Sequence, residues 1–490
     1  MNKPIRTISI FCMVLFLALM ANATYLQYWQ ADALNKDGRN RRIIQEAFSR
    51  ERGAILVSRN PVAESVKTDD EYKFQRTYPQ PFKYAPVTGW FSYYSQTGIE
   101  QSQNDVLSGD DSRLFVTRLV DLVNGNNTEG GRVSLTLDPA AQTAAFDGLR
   151  ALGDGAQGAV VAIEPSTGKV LANVSLPTYD PNLLASHDFA SVSENYDRLN
   201  ADPAKPLLNR GIQTTLPPGS TFKLVTAAAA IESGNWDASS TVPAGATYQL
   251  PETHGPTGLI DNDGRTQCDP KQIPFEVAME YSCNTTFAQL GIEVGAEAML
   301  EQAEAYGFND HYLDDLGPQA VSVYPVGANK PQTGQSAIGQ FDVRSTPLQM
   351  AMVAAGIANG GVVMKPYYVD EVQSADLDIL DKTTPSELSS AVSATTANEL
   401  TKLMVATVAE GTASPGAIDG VEVAGKTGTA QSGVEGKPPY AWYVSFAPAD
   451  DPQVAVAVMI ESVPGQGTDE IAGGLLGGPI AKAVMEAVIR

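Results

Sequence analysis

The chain has 490 residues, too many for one hydrophobic core, so two or three domains are expected. Its 33 basic and 56 acidic residues leave a net charge of -23, which excludes a nucleic-acid binder that needs a basic face. An apolar share of 43% excludes a disordered chain. Three scattered histidines, His187, His254 and His311, offer no zinc cluster and poor odds of a Ser-His pair, so no metal or cofactor is expected.

Lys3 and Arg6 precede a stretch without charge that runs from Thr7 to Ala31. Its apolar part, residues 8–28, has about the ~20 residues a spanning helix needs. Tyr25, Tyr28 and Trp29 sit where an interfacial aromatic belt would. Basic residues before the span and an acidic bulk after it put residues 1–7 in the cytoplasm and the rest outside the plasma membrane. The rival is a cleaved signal peptide, because Ala21-Asn22-Ala23 has the required small-residue form. Apolar and aromatic character continues past Ala23, which favours a retained anchor.

Residues 32–48 carry many charges and suit a juxtamembrane helix. Arg50 to Val57 reads as a strand after a turn, and residues 72–104, rich in Tyr, Phe, Gly and Pro, as short strands and loops. Asn124-Gly125-Asn126-Asn127 marks a turn or linker. Residues 32–130 therefore read as a small mixed α/β pedestal, a spacer or docking module without obvious chemistry.

Residues 131–490 read as a larger domain. A strand is predicted over 133–137. Asp138-Pro139 then opens a helix to about residue 152, with a capping side chain followed by proline at the first position. Strands over 158–162 and 169–174 flank Pro165-Ser166-Thr167-Gly168, a hairpin. Residues 176–210 read as polar loop. A helix is predicted over 220–233, stopped by Gly234, and residues 235–270 lack helical periodicity. A short helix over 275–281 stops at Ser282-Cys283-Asn284, and helix resumes over 285–294 with Asn284 as its cap. Several helices and loops follow, among them helices over 347–359 and 396–409; strands over 441–446 and 453–460 come next, and an amphipathic helix over 479–489 closes the chain. The fold class is α+β: one antiparallel sheet, completed by strands from both ends of the domain and flanked by helices.

Three short patterns stand in order along this domain. Ser220-x-x-Lys223 follows Pro217-Pro218-Gly219 at a helix start. Ser282-x-Asn284 lies in a loop between helices. Lys426-Thr427-Gly428 lies on a strand and continues to Thr429 and Ala430. Each is weak alone. Ser220 and Lys223, three apart on a helix, share one face, and a first-turn hydroxyl sits where orphan N–H groups favour negative charge.

The chemistry accounts for the residue types. Ser220 is the candidate nucleophile, and Lys223, if neutral, takes its proton. An amine is neutral near pH 7 only when desolvated or beside another cation, and Lys426 is the candidate cation. Ser282 relays a proton to a leaving amine. Asn284 offers a donor and an acceptor to a substrate amide. Lys426, Thr427 and Thr429, with Gly428 between them, suit a terminal carboxylate. The backbone N–H groups of Ser220 and Thr429 form the oxyanion hole, each such donor being worth ~3 kcal/mol of barrier.

Cys268 and Cys283 are the only cysteines outside the apolar N-terminus, so one pairing is possible. In an extracytoplasmic domain they are expected to form a disulfide around a loop of about 14 residues, worth ~3 kcal/mol. Cys283 stands between Ser282 and Asn284, so the bridge would also fix that loop.

In this order the trio is the signature shared by penicillin-binding proteins and class A β-lactamases. The whole chain resembles class B penicillin-binding proteins, most closely the A type of actinobacteria. The resemblance covers the anchor, Arg52-Gly53-Ala54-Ile55, Thr136-Leu137-Asp138, Pro218 to Lys223, and Lys426 to Ala430. It implies a D,D-transpeptidase that cross-links peptidoglycan stem peptides ending in D-Ala-D-Ala and is blocked at Ser220 by β-lactams. It also implies a partner, a membrane-embedded glycan polymerase of the shape, elongation, division and sporulation family. The pedestal is shorter than in many relatives. A serine β-lactamase is the nearest rival, but the anchor, the pedestal and the long step from Ser282 to Lys426 weigh against it. A D,D-carboxypeptidase shares the same motifs. A sensor would need a cytoplasmic domain, and an inactive scaffold would be expected to lose part of the trio.

Overall fold

The computed structural model describes residues 3–30, 34, 48–111, 113, 129–433, 437–466 and 472–489. Helix α1 (Lys3–Thr24) opens the chain, and a π-helical turn, Tyr25–Trp29, continues it. It has no buried residue, and among the described residues it alone is long and apolar enough to cross a membrane. The expected juxtamembrane helix falls outside the described residues except for Leu34 and Phe48, and the 124–127 turn falls outside them altogether.

The strands of the two main sheets begin with β1 (Ile55–Val57), β2 (Asn60–Lys67), β3 (Phe74–Thr77), β4 (Arg132–Leu135), β5 (Gln157–Ile163) and β6 (Val170–Leu176). They continue with β7 (Val369–Gln373), β8 (Ile379–Lys382), β9 (Ala424–Ala430), β10 (Tyr440–Ala447) and β11 (Val454–Ser462). The first sheet has the order β8-β7-β4-β1-β2-β3 and is antiparallel except for β1 beside β4. It thus takes strands from both sides of residue 130. The packing at its β3 end is polar as well as apolar. Arg52 and Arg76 donate to the two oxygens of Glu100 at 2.7 and 2.6 Å, and all three side chains are buried.

The second sheet has the order β9-β10-β11-β5-β6, all antiparallel. Strands from the end of the chain meet the early hairpin, as the sequence predicts. Helices α2 (Pro139–Arg150), α3 (Lys223–Glu232), α4 (Asn284–Val294), α5 (Pro347–Ala358) and α6 (Gly473–Val488) frame it. Asp138 caps α2 by accepting from Ala140 and Ala141, with Pro139 at the first position. α2 and α6 cover one face of the sheet and α5 the other. Hence β10 is buried along its whole length and β11 along all but its last two residues, which is why both read as apolar runs without alternation.

Three stretches depart from the expected pattern. Residues 176–210 contain a helix, Phe189–Ala201, capped by Asp188; it buries only Val192 and Leu199, so its apolar period is too sparse to read. Residues 72–104 contain helices Pro81–Thr88 and Gly98–Ser102 as well as β3. The last helix begins at Gly473 and carries Pro479 inside it. There packing against β10 outweighs the poor helix propensity of glycine and proline.

Candidate active site

Pro218 leads into a 3-10 turn, Gly219–Phe222, and α-helix begins only at Lys223. The expected helix over 220–233 is thus tightened at its start. Ser220 lies on this turn, half-buried, at an open cleft of about 1150 Å³. The turn is clamped from two sides. The Gly219 N–H donates to Gly339 O at 3.1 Å. Gly339 has φ 71°, and a Cβ on it would stand 2.1 Å from Gly219 O, so glycine is required. Opposite, a Cβ on Gly428 would stand 2.8 Å from Pro218 O. Gly428 is what lets β9 run against the Ser220 turn.

Lys223 is fully buried behind that turn. Its Nζ lies 2.8 Å from Ser282 O, 3.0 Å from Ser282 Oγ and 2.7 Å from Asn284 Oδ1. Ser220 Oγ is not among its hydrogen-bond partners, and such contacts commonly tighten only when substrate binds. With the amine charged, all three contacts are donations. With it neutral, the amine donates to the carbonyl and amide oxygens, and the Ser282 hydroxyl donates to it. Both forms are satisfied, and burial decides between them. Burial, then Lys426 and Arg265, push the Lys223 pKa well below the usual lysine range, against a smaller opposing pull from Asp263.

Ser282 ends the turn after the helix Phe275–Glu280. Its φ is 54°, a left-handed value that few non-glycine residues adopt. Cys283, not Asn284, is the N-cap of α4. Asn284 is instead the first helical residue, because its side chain is engaged elsewhere. Its Oδ1 takes Lys223, and its Nδ2 donates to Asp261 O at 3.0 Å and Asp263 Oδ2 at 3.2 Å. Cys268 and Cys283 are joined by a disulfide with Cα atoms 5.6 Å apart.

Lys426 is fully buried on β9, opposite Val444. Its Nζ donates to Thr427 O at 3.1 Å, and burial, with Arg265 nearby, pulls its pKa down to about 7. Thr427 Oγ1 donates to Thr412 Oγ1 at 2.9 Å. Thr429 is exposed on the cleft, and a Cβ on Gly219 would stand 2.9 Å from its carbonyl oxygen, so β9 borders the Ser220 turn. Ser220, Ser282, Asn284, Thr427 and Thr429 all line the cleft, while Lys223 and Lys426 stand buried beneath it. The arrangement provides a hydroxyl, a buried base and a cationic floor, as acyl transfer requires.

The sequence reading missed Arg265, which donates to Ser282 O at 2.7 Å and pairs with Asp263 at 3.0 Å. A signal existed: Arg265 is three residues from Cys268, whose partner adjoins Ser282. Among the described residues no cluster of histidine, cysteine and carboxylate suits a metal ion.

The penicillin binding protein transpeptidase domain family matches residues 158–486, and the penicillin binding protein A dimerisation domain family matches residues 52–133. The chain is 43% identical to the peptidoglycan D,D-transpeptidase PbpA of Mycolicibacterium smegmatis, covering 100% of this chain and 99% of that protein. The Mycobacterium tuberculosis protein of the same name is also 43% identical, with the same coverage. The structure of penicillin-binding protein A from M. tuberculosis as a ceftriaxone acyl-enzyme complex superposes with a TM-score of 0.85 at 41% identity, covering 91% of this chain and 100% of that one. Its penicillin G acyl-enzyme complex gives 0.83 at 41% identity, covering 90% and 100%.

Proposed function

The chain belongs to the penicillin-binding protein transpeptidase family, and on that premise we propose that it is a peptidoglycan D,D-transpeptidase working through an acyl-enzyme on Ser220. The observation that carries the assignment of roles is Lys223: buried, depressed in pKa, and bonded to Ser282 and Asn284 beside the Ser220 turn.

Ser220 Oγ attacks the carbonyl of the penultimate D-Ala of a stem peptide, and Lys223 takes its proton. The oxyanion accepts from the backbone N–H groups of Ser220 and Thr429. The peptide C–N bond breaks, and Ser282 passes the proton from Lys223 to the departing D-Ala amine. An amine of a neighbouring stem then attacks the ester, forms the cross-link and returns a proton to Ser220. Asn284 orients the substrate amide. Lys426, Thr427 and Thr429, spaced by Gly428, receive the terminal carboxylate. A β-lactam enters the same way, but its leaving group stays tethered, so the ester persists. The test is Ser220→Ala: covalent labelling by a fluorescent penicillin should vanish in a folded protein. Labelling at the wild-type rate would refute the nucleophile.

The remaining readings have other supports. Exposed α1, with Lys3 and Arg6 at its start, supports a single-pass anchor in the plasma membrane with the enzyme outside. The match over 52–133 supports the reading of residues 32–130 as pedestal, and the match over 158–486 that of residues 131–490 as transpeptidase domain. A membrane-embedded glycan polymerase as partner rests on the family alone; co-purification from native membranes tests it.

A further inference from the structure

We propose that Arg265 is a positioning residue for acylation: it holds Ser282 and Asn284 in place and sets a positive charge beside Lys223, and the two together let Lys223 act as the base. The inference rests on the assignment of Lys223 as proton acceptor given above.

Five groups form a closed circuit of hydrogen bonds. Lys223 Nζ donates to Ser282 O at 2.8 Å, and Arg265 donates to that same oxygen at 2.7 Å. Arg265 also pairs with Asp263 Oδ2 at 3.0 Å. Asp263 Oδ2 accepts from Asn284 Nδ2 at 3.2 Å, and Asn284 Oδ1 accepts from Lys223 at 2.7 Å. Both acceptors of the Lys223 amine are therefore set by one pair, Arg265 and Asp263. The circuit carries a load. Ser282 has φ 54°, and a side chain with that backbone persists only where its surroundings over-determine it. Two donors on its carbonyl, the Arg265 guanidinium and the Lys223 amine, do so. Relaxation of that peptide would deprive Lys223 of one acceptor and shift the Ser282 hydroxyl.

Arg265 brings charge as well as shape. Lys426, Arg265 and Asp263 are the charged groups that act on Lys223. Two are cations, so the surroundings favour the neutral amine. Guanidinium suits the task because it stays charged at any working pH and reaches two acceptors in a fixed fork. Burial of the disulfide partner Cys268, three residues on, keeps the segment in place.

The experiment is the pH dependence of the second-order acylation rate by a fluorescent penicillin, on the full-length chain. In Arg265→Gln the acidic limb should move up by about one pH unit, so the rate on that limb falls about tenfold. Arg265→Lys, which keeps the charge, should return the limb to the wild-type position with a lower plateau. A limb that stays put in Arg265→Gln, whatever its height, overturns the inference and leaves Arg265 a brace only. Should Arg265→Gln fail to fold, Asp263→Asn removes the opposing anion, and its limb should move down; an unmoved limb again overturns the inference. Lys223→Ala is the separate control. If it still acylates, the assignment of the base falls, and the inference with it.

Discussion

Replacing both Cys268 and Cys283 with alanine removes a cross-link that spans 15 residues of sequence. Loop closure over that length is worth about 3 kcal/mol. Both cysteines are fully buried, so each replacement also empties a sulfur-sized space, at about 1 kcal/mol each. The expected loss is thus ~3–5 kcal/mol. The site should survive in part, because other ties remain. Asn262 Oδ1 accepts from the Thr285 N–H at 3.1 Å, Asn262 Nδ2 donates to Gly245 O at 2.8 Å, and Arg265 still reaches Ser282. Acylation should nevertheless slow, because Cys283 lies between Ser282 and Asn284, and small misplacement of a catalytic group costs up to about 10²-fold in rate. Urea unfolding of the full-length chain in detergent measures the first effect, and labelling by a fluorescent penicillin the second. Unfolded, reduced and refolded wild type separates the cross-link from the emptied space. The reasoning fails if the double variant unfolds within about 1 kcal/mol of the oxidised wild type. It fails equally if both cysteines of wild type, unfolded without reductant, take up iodoacetamide.

Gly428→Ala should cost about 1–3 kcal/mol and cut acylation sharply, because its Cβ would press on Pro218 O at 2.8 Å and Thr221 Cγ2 at 3.0 Å. A folded variant that acylates normally refutes the close approach. Lys426→Met should lose acylation yet gain stability at neutral pH. The wild-type Lys426 titrates at about 7 when folded and near 10.4 when unfolded, so between those values the unfolded chain binds more protons and wild-type stability rises with pH. The advantage of Lys426→Met should therefore be full below about pH 7 and fade toward about pH 10; a constant difference sinks the argument. Residues 8–28 should remain in the mature protein, and N-terminal sequencing from native membranes that starts at Thr24 would show a cleaved leader instead.

The parts legible in the sequence were those written in local chemistry. Asp138-Pro139 announces its helix by capping, and Pro165 to Gly168 announces its hairpin by turn residues. The apolar runs of β10 and β11 mark the buried sheet centre, and the trio marks the cleft. What stayed hidden depends on contacts remote in sequence. No local pattern tells that Gly219–Phe222 tightens to 3-10, because the constraint is Gly339. The cap expected of Asn284 fails because its Oδ1 accepts from Lys223 and its Nδ2 donates to Asp263. β7 and β8 joining β4 and β1 is equally non-local, and no strand is read from the sequence over residues 369–382.

The way the site is divided among elements follows from what a neutral lysine needs. An amine loses its proton near neutral pH only when it is dry, and a dry amine still requires acceptors that carry no charge. Its own helix cannot supply them, since α3 is packed on all sides and its backbone is already bonded within itself. The partners must therefore come from another segment: Ser282 O and Asn284 Oδ1 accept from the amine, and the Ser282 hydroxyl donates to it. The substrate carboxylate then needs a cation that does not quench the base, and a second lysine on a separate strand meets that need while adding like charge against Lys223. Three motifs on a helix, a turn and a strand are thus the fewest pieces from which this chemistry can be assembled here. The left-handed Ser282, the required Gly339 and the two buried lysines are each unfavourable for stability. They gather within one cleft because each is tolerable only where the surrounding sheet and helices over-determine it, and that is the condition under which a base, a nucleophile and an anion site hold a fixed geometry.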